Sequence, residues 1–189
     1  MTKNSPQTLK KIAIIGPSGA GKTTIAAGLF YFLKTKRKKA EIIPELVKFK
    51  VYENVDFSQT GFDIANTLEQ QKLEETVEKA KSIEYLICEA PLCNGFFYSS
   101  FYKKKNEWPT LKTIALKKIN TYDLVIFVEH ILEEEYETFG RKEDRKTSLK
   151  LQRHIKNKFK KELNYKHEVL FVNQQTDIIS ILNKVLSLT

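Results

Sequence analysis

Residues Gly16 to Thr24 read Gly-Pro-Ser-Gly-Ala-Gly-Lys-Thr-Thr and contain a complete G-x-x-x-x-G-K-[ST] phosphate-binding loop, directly after the apolar run Lys11 to Ile15. This spacing demands a strand, a tight turn and a helix in that order. Glycines at 16, 19 and 21 let the backbone wrap closely enough to aim its N–H groups at polyphosphate oxygens. Gly16, Ser18, Gly19, Ala20, Gly21, Lys22, Thr23 and Thr24 are therefore the candidate phosphate-binding residues. Lys22 would bridge the β- and γ-phosphates, and the Thr23 hydroxyl would ligate Mg2+. The helix that begins there offers its positive end to the anion. Ile25, Leu29, Phe32 and Leu33 recur behind the loop at helical spacing.

Beyond the loop, short apolar runs alternate with helical periodicity. Strands are expected at Lys11–Ile15, Ala40–Ile43, Glu84–Cys88, Asp123–Val128 and Glu168–Val172. Helices are expected at Lys22–Lys34, Asp63–Lys81, Thr110–Ile119, Arg145–Leu163 and Thr176–Leu186, the last capped by Thr176 and Asp177. In the second helix Ile64, Leu68, Leu73, Val77 and Ala80 form the expected apolar face. In the fourth, Leu149, Gln152, Ile155, Phe159 and Leu163 do so. Strands joined through helices make right-handed crossovers, hence a five-stranded parallel sheet in a three-layer α/β/α arrangement. No internal repeat or low-complexity linker divides the 189 residues. The expectation is one domain spanning 1–189, with a flexible tail at 1–10, an insertion at 90–110 and a helical lid at 138–148.

Composition limits the setting. No stretch approaches the ~20 apolar residues of a membrane span, and Met1 to Lys10 lacks the apolar core of a signal peptide. Cys88 and Cys93 cannot build a disulfide framework, so a reducing cytoplasmic location is expected. The net charge of +9 is concentrated: residues 141–166 hold eleven Lys or Arg against three Asp or Glu. That segment is either a solvated surface or a basic face for nucleic acid or a polyphosphate substrate. Nothing in the sequence speaks to oligomeric state.

Ligands of such sheets bind beyond the carboxyl ends of the strands, where two carboxylates fall. Glu89 follows the third strand and would hold Mg2+ through water or polarise a nucleophile. Glu45 follows the second strand and would act as base toward an acceptor hydroxyl. Five aromatics between Phe96 and Tyr102 would either wall a pocket, chiefly through Tyr98 and Tyr102, or fill core, chiefly through Phe96, Phe97 and Phe101. In Phe139 to Arg145, Gly140 offers a hinge. Arg141 and Arg145, four apart, could reach one site to stabilise a transferring phosphoryl group as the segment closes.

These motifs together resemble the P-loop nucleoside and nucleotide kinase group, particularly the ribosylnicotinamide kinase domain of the bacterial nicotinamide-nucleotide regulator and related phage ATPase-like proteins. Pro44-Glu45 is similar to the base-bearing strand end of deoxynucleoside kinases. Cys88 to Pro91 is similar to their acid-Arg-Ser element, and Gly140-Arg141 with Arg145 to their arginine lid. The resemblance implies a P-loop NTPase fold, ATP and Mg2+, and γ-phosphoryl transfer to a nucleoside, nucleotide or related small acceptor. Ala90 departs from it, standing where an arginine is usual, with Lys48, Lys50 or Lys103 as replacements. Two other readings stay open. One is a phage-type kinase acting on a modified base or end in DNA or RNA through the basic segment 141–166. The other is a nucleotide-dependent switch or ATPase module, although no N-K-x-D guanine motif is present.

Overall fold

The computed structural model describes residues 8–131, 136 and 141–188. The Gly140 hinge, residues 138–140 of the expected lid and residues 1–7 of the expected tail lie outside them. The sheet comprises β1 (Lys10–Ile15), β2 (Ala40–Ile43), β3 (Tyr85–Cys88), β4 (Leu124–Val128) and β5 (Glu168–Val172). All neighbouring pairs are parallel, in the order β2-β3-β1-β4-β5. Seven helices accompany them among the described residues: α1 (Lys22–Thr35), α2 (Leu46–Tyr52), α3 (Phe62–Lys79), α4 (Asn94–Phe101), α5 (Trp108–Lys118), α6 (Arg145–Glu162) and α7 (Ile178–Leu186).

The side-chain alternation of β1 divides the core in two. Ile12 and Ile14 pack with Leu29 and Leu33 of α1 and with Ile181 and Leu182 of α7. Ala13 and Ile15 face Phe96 and Phe97 of α4, Leu111 of α5 and Ile155 of α6. Because both faces are covered, β4 is wholly buried and its sequence is a continuous apolar run. The edge strand β5 differs, leaving Phe171 51% exposed beneath the Lys156 ammonium.

Several expected boundaries shift for local reasons. Lys10 belongs to β1, paired with Tyr85, so the tail cannot extend that far. Helix α5 starts before Pro109 rather than after it, because proline in the first turn forfeits no helical hydrogen bond. Helix α7 begins at Ile178, with the Asp177 carboxylate accepting from the Ile179 amide. Neither α2 nor α4 is among the expected helices, because seven and eight residues are too few to display a helical repeat.

The expected apolar face of α3 is corrected more substantially. Leu68 and Leu73 point outward, 52% and 37% exposed, while Thr67, Gln70 and Glu74 are the buried residues. Only Ile64 and Val77 of the expected set pack against the core. This helix turns a polar face inward because it roofs a cavity and a buried ion pair. On α6 the buried residues are Ser148, Leu151, Ile155 and Phe159, so the inward stripe runs through Leu151 rather than Leu149.

Candidate active site

The connection from β1 moves to β2 and that from β3 moves to β4, so the chain reverses direction across β1 and opens a crevice at its carboxyl end. The phosphate loop fills that point. Gly16 has φ 150°, and a Cβ there would stand 2.4 Å from the Val128 carbonyl oxygen, so no side chain fits between β1 and β4. Gly21 has φ 92° and precedes α1 with no side-chain cap, leaving the first turn of the helix to face the crevice. Lys22 is buried and its ammonium donates to the Pro17 carbonyl at 3.1 Å.

The two strand-end carboxylates converge on this loop. The Thr23 hydroxyl donates to Glu89, which is buried, and the Glu89 amide donates to the Ile43 carbonyl at 3.0 Å, tying β3 to β2. Glu45 lies 3.6 Å from the Lys22 ammonium. Burial raises its pKa, Lys22 opposes the rise, and the neighbouring Glu89 and Glu143 carboxylates add to it.

One cavity of about 820 Å3 runs from the phosphate loop past Glu45 to α3 and α4. Ser18, Gly19, Gly21, Lys22, Thr23 and Thr24 line one end. At the other, Tyr98 and Tyr102 line the wall while Phe96 and Phe97 are fully buried in the core, so the aromatic cluster divides between the two faces of α4. Amide side chains lie among these aromatics. Gln70 donates to the Pro44 carbonyl at 3.2 Å. Its Oε1, the Oδ1 of Asn66 and both amide atoms of Asn94 are buried without hydrogen-bond partners.

Around the mouth, Arg141 lines the cavity with its guanidinium 5.3 Å from the Tyr136 ring, and its Nη1 is buried without a hydrogen-bond partner. Arg145 begins α6 and is not among the residues lining this cavity, although its charge and that of Arg141 both act on His130. Of the basic residues weighed against Ala90, Lys48 lines the cavity, whereas Lys50 pairs with Glu69 at 3.0 Å and, like Lys103, lies outside the lining. Lys104 and Lys142 line it instead. Lys104 is held by Asp63 at 2.9 Å and by the Phe57 carbonyl at 2.9 Å, and Lys142 sits 4.7 Å over the Phe57 ring. Lys146, Lys150, Arg153, Lys160 and Lys161 of the basic segment are exposed and outside the lining.

Sequence reasoning missed Glu143, Ser148 and His130. The Glu143 carboxylate accepts from Ser18 at 2.9 Å and from Tyr102 at 2.6 Å, linking the phosphate loop to α4. Ser148 donates to the Ser18 carbonyl at 2.5 Å, so the His130 ring N–H donates to Ser148 at 2.7 Å. Burial, with the charges of Lys22 and Arg145, holds His130 below its ordinary pKa. The acid in a Lys-Glu-Asp-Arg run and one serine in a basic helix carry no spacing signal that marks them.

A family model described as an AAA domain matches residues 11–178. The chain belongs to this family. No match was found among curated proteins. Among solved structures, the AAA domain is similar to deoxyadenosine kinase from M. mycoides with dCMP and dCDP bound. The TM-score is 0.58 at 19% identity, covering 93% of this chain and 96% of that one. The same kinase with bound dATP gives 0.57 at 21%, covering 94% and 100%. The NadR protein in complex with NR gives 0.64 at 15%, covering 96% of this chain and 52% of the NadR chain. The fold is thus the three-layer P-loop fold seen in deoxyadenosine kinase.

Proposed function

We propose that the protein is a phosphotransferase that moves the γ-phosphoryl group of ATP to a hydroxyl of a nucleoside or related small acceptor. The observation that carries this reading is a cavity in which a phosphate loop and an aromatic, amide-lined wall flank the Glu45 carboxylate. The proteins of similar fold, a deoxyadenosine kinase with dATP bound and the NadR protein with NR bound, are in line with it.

Glu45 would take the proton of the acceptor hydroxyl as that oxygen bonds to the γ-phosphorus and the bond to the β–γ bridging oxygen breaks, releasing ADP. Lys22 and the loop amides would offset charge on the β- and γ-phosphates, and Arg141 the charge that spreads over the moving group. Thr23 and Glu89 offer only oxygen donors, which suits Mg2+ bound partly through substrate phosphates. Such an ion, when bound, supplies charge neutralisation at the phosphates. Side chains lining the cavity would exclude water from it during transfer.

The test measures ADP formation from Mg-ATP against a panel of nucleosides, nucleoside monophosphates, ribosylnicotinamide and modified DNA. Acceptor-dependent turnover with a nucleoside-like compound is expected, and Lys22→Ala should lower it by at least about 10²-fold while preserving the fold. ATP consumption indifferent to every acceptor would replace this reading with a switch or ATPase module. Turnover confined to modified DNA would move the acceptor onto nucleic acid.

A further inference from the structure

The polar inward face of α3 ends in a buried network away from the phosphate loop. Lys11 of β1, Glu74 of α3 and Tyr122 before β4 are 7%, 1% and 1% exposed. The Lys11 ammonium lies 3.1 Å from Glu74 and 2.5 Å from Glu78, and 4.6 Å from the centre of the Tyr122 ring. The Tyr122 hydroxyl is 2.9 and 3.0 Å from the two Glu74 carboxylate oxygens. It has one proton, which an ionised carboxylate must accept. Its remaining lone pair accepts the Leu92 amide proton at 3.1 Å.

Leu92 lies between Glu89 and Asn94, in the loop joining β3 to α4, and it is buried. Ala90, Pro91, Leu92 and Asn94 all line the cavity. The network therefore fastens the middle of the loop that ends at the Thr23-bonded carboxylate on one side and at the unpartnered Asn94 amide on the other. A buried ion pair is a poor device for stability alone, since apolar replacements often match or exceed it. It does fix one geometry when every donor and acceptor is satisfied, as Tyr122 is here.

We infer that Tyr122, held by Glu74, is a positioning residue for the acceptor wall of the cavity, acting through the Leu92 amide. The inference rests on the phosphotransferase reading for its kinetic consequence, but its structural half can be read without turnover. Two variants separate positioning from mere stabilisation. Tyr122→Phe keeps the ring and removes the oxygen that accepts from Leu92. Glu74→Gln keeps an oxygen for Tyr122 while removing the charge facing Lys11. Both should melt earlier than wild type. Only Tyr122→Phe should lower kcat/KM for the acceptor, by about 10²-fold as a wall shifts by an ångström, with the KM for ATP unchanged. Amide hydrogen exchange at Leu92 should accelerate in Tyr122→Phe and stay slow in Glu74→Gln. Wild-type kinetic constants in a destabilised Tyr122→Phe protein would overturn the inference. So would an unchanged Leu92 exchange rate in that variant, and this second readout stands even if no acceptor is turned over.

Discussion

Burial lifts the Glu45 pKa above the ordinary glutamate value of 4.5, and the Lys22 ammonium pulls against it. A general base must be ionised to accept a proton, so turnover should rise with pH on the acid side, with its limb lying above pH 4.5. Glu143 is a like charge that adds to the shift, so removing it favours the ionised form of Glu45. Glu143→Gln should therefore move the acid limb of kcat to lower pH. Glu45→Gln should lower kcat by about 10²- to 10⁴-fold and erase the limb from whatever turnover remains. A limb that keeps its position in Glu143→Gln would show that the titrating group is not next to this carboxylate.

At the scale of elements, the Ser148 side chain joins α6 to the phosphate loop. Ser148, fully buried in its first turn, receives the His130 ring N–H and donates to the Ser18 carbonyl. Ser148→Ala removes the acceptor of one and the donor to the other, which costs about 1–3 kcal/mol of stability. That loss lowers Tm by roughly 2–4 °C per kcal/mol in a chain of this size. Because the contact anchors the donor loop alone, the KM for ATP should rise while the KM for the acceptor holds; a rise in both would place α6 against the acceptor as well. Such elements also show what can be read from a sequence. Buried parallel strands are continuous apolar runs, and the phosphate loop is local, so Lys10–Ile15 with Gly16 to Thr24 announces itself. Ser18 meets Glu143 across 125 positions and Ser148 across 130, and Tyr122 meets Glu74 across 48. Residues of ordinary type acquire those roles only when the sheet order brings them together. The inward polar face of α3 misleads for the same reason, since apolar periodicity assumes that the buried side is core.

The whole molecule closes around the cavity from both directions along the chain. Lys142 covers Phe57, Lys104 donates to the Phe57 carbonyl, and Glu143 bridges Ser18 and Tyr102, so the loop after α2, the segment after α4 and the residues just before α6 meet above the space. That closure leaves Gln70 Oε1, Asn66 Oδ1, both Asn94 amide atoms and Arg141 Nη1 buried without hydrogen-bond partners. Each such atom costs about 1–3 kcal/mol while unmet, and a ligand that pairs with them returns part of that cost. Binding to the native state alone stabilises by about 2.7 kcal/mol at a hundredfold excess over Kd. For a chain of this size that is a Tm rise of roughly 5–11 °C. ADP and a nucleoside acceptor should each raise Tm on their own, because the phosphate loop and the aromatic wall lie at opposite ends of one cavity. Lys22→Ala should lose most of the ADP shift and keep the acceptor shift, whereas Asn94→Ala should do the reverse. A normal ADP shift with no response to any nucleoside at saturating concentration would confine the cavity to its donor half and sink the acceptor assignment.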